Sequence, residues 1–268
     1  MRRKTWSPSW IDLDVPNAAR VYDYYLGGSH NFEADRRMAR KAMELWPELP
    51  QIMRANRAFL RRSVQYLAGE GFTRFLDIGS GIPTLGPVHE VSRELQPEAR
   101  VVYVDRDPVA VAHSAAMLTE DPLSLVVQAD LTEPDDLLAR PDVAALLDGG
   151  APVALLLVAV LHFVPDEAEP HRLVAHLRDA LPPGSALVLC HACREGRPDQ
   201  VGPHQNIYLR TRTPLTMRGR EEITAFFDGF DVVDPGIVYL TQWRPDSPDA
   251  VGPAPERMAG LVGVGRLP

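Results

Sequence analysis

Phe75-Leu76-Asp77-Ile78-Gly79-Ser80-Gly81-Ile82-Pro83 reads as a short buried strand, Thr73 to Ile78, that breaks into a glycine turn and runs on into a helix. Two glycines two residues apart let the backbone turn sharply and approach a ligand with no side chain in the way. Asp77 stands at the strand end, where its carboxylate can hold the turn or reach a bound polar group. Open α/β sheets bind their ligands at the carboxyl ends of parallel strands, so this is the expected place of a small-molecule site.

Outward from that turn, strands and helices alternate. Arg100 to Asp105 is a β-branched strand ending in an acid, followed by a helix over Pro108 to Leu118 with proline in its first turn. Ser124 to Ala129 is a third strand, again ending in an acid, Asp130, and Asp135 to Leu147 is helical. Pro152 to Leu161 is apolar on both faces, as a central parallel strand should be. A helix over Glu169 to Ala180 and a fifth strand over Ser185 to His191 follow, then a polar stretch from Arg194 to Thr216 and a helix over Arg220 to Phe227. Phe230 to Leu240 reads as a sixth strand, Leu261 to Arg266 as a short seventh, and the proline-rich Pro245 to Glu256 between them as a mobile loop. This spacing predicts a right-handed doubly wound sheet.

Upstream of the first strand the pattern is helical. The opening through Val15 reads as irregular, Pro16 to Leu26 as a helix stopped by Gly27-Gly28, Asn31 to about Leu45 as a second with Asn31 as its cap, and Gln51 to Gly69 as a third. Residues 1–70 are thus expected to form a helical segment on a core of residues 71–268. Tyr22, Tyr24 and Tyr25 beside the two glycines fit either a packed amphipathic helix or a lid over the site.

Composition narrows the function. The chain has 268 residues, 45% of them hydrophobic, which suffices for a full core. Its formal charge of −8 with no long basic block argues against a nucleic-acid partner. The basic Met1-Arg2-Arg3-Lys4 leads into no apolar run and is no signal peptide, and the longest apolar run, Val153 to Val164, is too short to span a bilayer. A soluble, cytoplasmic protein without a membrane partner is expected. Cys190 and Cys193, the only cysteines, have C-x-x-C spacing but no second ligand pair nearby, so structural thiols rather than a metal site are expected.

Asp77, Asp105 and Asp130 occupy corresponding strand ends. An acid some twenty residues beyond a glycine turn can bond both hydroxyls of a ribose, which suits Asp105, while Asp130 can accept from an amine on a base. Each alone fits a helix cap or a solvated loop; together they point to a nucleoside-like cofactor. A dinucleotide site wants a third glycine where Thr84 stands. A carboxylate two residues before Gly79 would repel a pyrophosphate and favours a cationic ligand.

On these residues the chain resembles the class I S-adenosylmethionine-dependent methyltransferases, in Phe75 to Gly81, Val102-Tyr103-Val104-Asp105, Ala129-Asp130-Leu131 and Leu157 to Asp166. More closely it is similar to an actinobacterial family of that class with no assigned substrate, through Ala19 to Gly28, Asn31 to Arg36 and Trp243-Arg244-Pro245. The resemblance implies a Rossmann-like, doubly wound seven-stranded sheet with the last strand antiparallel beside the sixth. It implies S-adenosylmethionine as cofactor, with Gly79 and Gly81 under the methionine part and Asp77 on its amino group. Asp105 would hold the ribose, Arg106 would flank the adenine, Asp130 and Leu131 would contact its edge, and Ala159 would face the sulfonium. Tyr22 and Ser80 complete the expected cofactor set. Pro83, where many members have a further glycine, leaves open the path of the helix start.

The implied reaction is an in-line transfer of a methyl group to a small-molecule acceptor. A base is required only if that acceptor must lose a proton. His162 and then His191 are best placed for this, and each fits equally a histidine that satisfies backbone groups. The acceptor pocket is expected from the N-terminal helices, the Arg194 to Thr216 stretch and the Pro245 to Glu256 loop. Tyr22, Tyr25, Asn31, Tyr208, Tyr239 and Trp243 are its candidate residues, although aromatic residues are more often core. Two alternatives stand beside this reading: a non-catalytic binder of S-adenosylmethionine or S-adenosylhomocysteine, and a nicotinamide-dependent oxidoreductase, which the glycine spacing disfavours.

Overall fold

The computed structural model describes residues 13–209, 211 and 213–268. The irregular opening read for residues 1–15 lies outside the described residues as far as residue 12. Helix α1 (Ala18–Tyr25) starts where Asn17 Oδ1 accepts from the Ala19 N–H at 2.8 Å, and Gly27 ends it with φ +81°. Helix α2 (Glu33–Leu45) is not capped by Asn31 as expected. Asp35 inside its first turn accepts from the N–H groups of Phe32 and Asn17, at 2.8 and 3.0 Å, and so joins the starts of α1 and α2. Asn31 is drawn away to Asp23 Oδ2 and Gly28 O, donating at 2.8 and 2.9 Å. Helix α3 (Leu49–Gly69) buries Ile52, Phe59, Val64 and Leu67 along one stripe.

The parallel strands β1 (Arg74–Ile78), β2 (Arg100–Asp105), β3 (Ser124–Gln128), β4 (Ala154–Val158) and β5 (Ala186–Ala192) fall where alternation with helices placed them. Helices α4 (Val88–Arg93) and α5 (Pro108–Met117) follow the first two strands. The single helix expected over Asp135 to Leu147 is two, α6 (Pro134–Leu138) and α7 (Pro141–Leu147), because Pro141 cannot continue the α6 hydrogen bonding. Helix α8 (Pro170–Asp179) leads to β5. The polar stretch after β5 holds an unforeseen helix, α9 (Pro198–Tyr208), before α10 (Arg220–Thr224).

The expected sixth strand is also split. β6 (Asp231–Val232) and β7 (Val238–Tyr239) flank Pro235, which offers no N–H to a ladder, and Gly236 with φ +87°. Both pair antiparallel with β8 (Gly260–Arg266), which itself runs antiparallel to β5. The sheet order is β3-β2-β1-β4-β5-β8-β6, with β7 also on β8. The last strand is therefore antiparallel and inserted between β5 and β6, as expected, in a sheet of eight strands rather than seven.

Side chains alternate between two cores. Phe75, Tyr103, Leu156 and Val188 pack on one face with α3 residues Phe59 and Leu67, while Leu76, Val102, Leu155 and Leu187 pack on the other with Leu177 and Phe226. The sheet order reverses between β1 and β4, which leaves a crevice beyond their carboxyl ends. No helix of the described residues is long and apolar enough to cross a membrane.

Candidate active site

The turn after β1 is tied to the end of β2. The N–H groups of Gly79 and Ser80 donate to Val104 O at 2.8 and 3.1 Å, and the Gly81 N–H donates to Asp105 Oδ2 at 2.8 Å. Gly79 has φ +74°, and a Cβ there would lie 2.3 Å from Val160 Cγ2, so only glycine fits. Beyond Gly81 the chain stays irregular until α4 at Val88, and Arg57 of α3 holds it by donating to Leu85 O and Gly86 O. Asp105 Oδ1 accepts from the Asp107 N–H at 2.8 Å, and Arg106 pairs with Asp130 at 3.3 Å. Ala159, just past β4, takes a left-handed φ of +61°, a sparsely used conformation for a residue with a Cβ and one that clusters at functional sites. Every residue expected to bind the cofactor lines one cleft of about 1140 Å³, its open mouth included.

Its floor carries buried carboxyl groups that are only partly compensated. Asp77 is 5% exposed, and no described residue donates a hydrogen bond to its carboxylate. Burial, opposed by Arg57 and reinforced by Asp105, pushes its pKa up to about 7. Burial likewise raises Asp105 to about 6, against the two backbone N–H groups it accepts.

The N-terminal helices form the opposite wall. α1 contributes Tyr22 and Asp23, and α3 contributes Asn56 and Arg57. Tyr22 Oη accepts from Asn56 Nδ2 at 2.8 Å and donates to Met53 O at 3.2 Å. α1 is anchored by Arg20, 3% exposed, which ion-pairs with Asp35 at 3.3 Å and approaches Asp107 at 4.0 Å.

A second cavity of about 720 Å³, open solvent included, adjoins the first. The two share Ala18, Tyr22, Asn56, Ala159 and Phe163. Tyr25, His162 and Tyr208 lie on its wall, as does His204 from α9. No Asp, Glu, Lys or Arg lies there, and burial, first of all, lowers His162 to about 3 and His204 to about 4.

Four expected residues lie elsewhere. His191 is fully buried and on neither wall; its Nε2 accepts from Arg218 Nη1 and its Nδ1 faces Ala192 O, both at 2.8 Å, so neither nitrogen is left for an acceptor. Trp243 is fully buried against Phe59 and Tyr66, Tyr239 lies under the Arg220 guanidinium, and Asn31 holds Asp23. Residues 245–256 supply nothing to either wall and coil into two short turns, Pro248–Val251 and Pro255–Met258. His162 Nδ1 accepts the Ala192 N–H at 3.2 Å, which places the ring proton on Nε2 and makes His162 a donor rather than a base. Cys190 and Cys193 are buried free thiols, and the described residues hold no group of three His, Cys, Asp or Glu able to bind a metal.

A sequence profile described as S-adenosyl methyltransferase matches residues 4–268. The chain belongs to this family. A crystal structure from Thermobifida fusca YX that carries a provisional methyltransferase name is 41% identical, with a TM-score of 0.91 over 98% of this chain and 99% of that one. A DUF574-family crystal structure from Streptomyces avermitilis MA-4680 is 38% identical, with a TM-score of 0.91 over 96% of this chain and 99% of the other. Both agree with the resemblance to an actinobacterial family. A ribosomal RNA small subunit methyltransferase H from Halorhodospira halophila is 39% identical over 64 residues, which are 24% of this chain and only 20% of that protein.

The methyltransferase cofactor fits the first cleft on physical grounds. S-adenosylmethionine is cationic at sulfur and at its amino group, and Asp77 is a buried carboxyl group whose charge Arg57 offsets only in part. Asp105 keeps lone pairs beyond its two backbone partners for a ribose diol. Of the residues that sequence reasoning missed, Asn56 left a signal: it is a polar residue between Ile52 and Leu60, four positions from each on the apolar stripe of α3. Arg57 and Asp23 left none.

Proposed function

We propose that this methyltransferase acts on a small molecule held in the second cavity. The observation that carries this reading is the junction of the two cavities at Ala159, Tyr22, Asn56 and Phe163. Bound S-adenosylmethionine supplies an activated methyl group on its sulfonium. Around it, Asp77 holds the amino group with Arg57 in reach of the carboxylate end, and Ser80 with the two glycines gives backbone room. Asp105 holds the ribose, and Arg106, Asp130 and Leu131 frame the adenine. Ala159 and Tyr22 border both ligands and fix their relative placement; positioning of this kind is worth about 7–11 kcal/mol at best. His162 serves as a neutral donor. Helices α1 to α3, in residues 1–70, act as a cover that excludes water from the junction, over a core of residues 71–268. The two buried free thiols suit a reducing, cytoplasmic setting.

Methyl-labelled cofactor mixed with the protein and a fractionated cell extract tests this reading. Label is expected in the low-molecular-weight fraction. Label confined to RNA or protein would contradict it.

A further inference from the structure

The second cavity holds polar atoms with nothing to bind. Trp46 Nε1, His204 Nδ1 and Asn56 Oδ1 find no hydrogen-bond partner in the protein among the described residues, whereas the Tyr25 hydroxyl bonds that of Tyr208. Their residues are 1, 6 and 5% exposed, and all three line this wall. Buried polar groups are nearly always hydrogen-bonded, and three exceptions around one cavity point to a ligand.

The chemistry of each atom restricts that ligand. One N–H of Asn56 Nδ2 donates to Tyr22, and Asn56 Oδ1, an acceptor, is left without a partner on the wall common to both cavities. It calls for an O–H or N–H donor next to the cofactor cleft. Trp46 Nε1 is a donor only, and with His204 it lies away from that cleft, where it calls for an acceptor such as a carbonyl oxygen. The remaining wall is apolar and rich in rings: Tyr22, Tyr25, Trp46, Phe163, His204 and Tyr208. The His204 ring sits edge-on between Trp46 and Tyr208, with centroids 5.4 and 5.3 Å away, which fixes its orientation. Charge is absent from the lining. Arg197, 5.7 Å over the Trp46 ring, is already ion-paired with Glu48 at 2.8 Å. A charged acceptor would lose its hydration with no counter-charge in return.

Resting on the proposed function, we infer that the methyl acceptor is a neutral, flat aromatic molecule with a hydroxyl or amino group at one end and a carbonyl-type oxygen at the other. The O–H or N–H meets Asn56 Oδ1, which directs the nucleophile's lone pair to the cofactor side, and the carbonyl meets Trp46 and His204. The nucleophile's oxygen or nitrogen then bonds the methyl carbon, sulfur keeps the electron pair of the broken carbon–sulfur bond, and the proton leaves to water through the open cofactor cleft.

Calorimetry at pH 7 on the full chain, with and without S-adenosylhomocysteine, tests this with 6-hydroxy-2-acetonaphthone, its 6-amino analogue, 2-acetonaphthone without the donor, and 6-hydroxy-2-naphthoate with a carboxylate for the ketone. The hydroxy or amino ketone should bind at least tenfold more tightly than the last two. Trp46→Phe should weaken that binding about tenfold with S-adenosylhomocysteine affinity within twofold of the parent; His204→Phe replaces it if it does not fold. Equal binding of the carboxylate or of the donor-free ketone, or no binding of either hydroxy or amino ketone, would overturn the inference. Loss of S-adenosylhomocysteine binding alone would sink the proposed function and leave the cavity comparison intact.

Discussion

Asp77 shows how one buried carboxyl couples the cofactor to pH. Its native pKa, about 7, lies above its ordinary value of 3.8, so between those values the folded protein binds more protons than the unfolded chain. The stability it contributes is fully present below pH 4 and is lost as the pH rises through 7. Asp77→Asn should therefore stabilise the ligand-free protein by on the order of 1–3 kcal/mol at pH 8 and by little at pH 4, read from urea midpoints at each pH. Affinity for the cation should run the other way. Below pH 7 Asp77 must first release a proton, so S-adenosylmethionine should bind more tightly from pH 5 to 8 and level off above 7, with the slope flattened in Asp77→Asn. Asp105→Ala loses the acceptor for the ribose diol, and S-adenosylhomocysteine affinity should fall by tenfold or more. Unchanged affinity would remove Asp105 from the site.

Gly79 and Arg20 act through the elements they join. Gly79 lets β1 pass under the loop after β4 with a left-handed φ, and Val160 stands where a Cβ would go. Gly79→Ala should cost about 1–3 kcal/mol in stability through backbone strain alone and should weaken cofactor binding further by shifting the loop that carries Ala159. Arg20 binds α1 to α2 and to the start of α5, donating to Val15 O at 2.7 Å besides pairing with Asp35. Asp35 is fully buried. Arg20→Ala leaves that carboxylate without its cation and should destabilise the protein by about 3 kcal/mol in chemical denaturation, the low end for a broken buried pair because Asp35 keeps two backbone donors. Faster amide exchange confined to α1 and α2 would accompany it.

Across the whole molecule, what could be read from sequence was what local chemistry dictates. β1 to β3 are largely apolar runs closed by acids or a glycine and β4 is apolar on both faces; the ends of the first three place the cofactor cleft at the sheet's reversal, with Asp77, Asp105 and Asp130 around it. Boundaries failed where a single residue overrode the pattern: Pro141 splits one helix, Pro235 with Gly236 splits the sixth strand, and Asp35 rather than Asn31 serves the start of α2. The second cavity was only half legible. Tyr25 and Tyr208 were foreseen on its wall, whereas Asn56 and His204 reach it only because α3 and α9 dock where periodicity cannot specify. Tyr239 and Trp243 read as pocket aromatics and are packing residues, since a ring's chemistry suits both roles. Calorimetric titration of the purified protein with S-adenosylmethionine, S-adenosylhomocysteine and NAD tests the central claim most directly. Binding of both sulfur nucleosides, without binding of NAD, is the predicted result; binding of NAD alone would contradict the account.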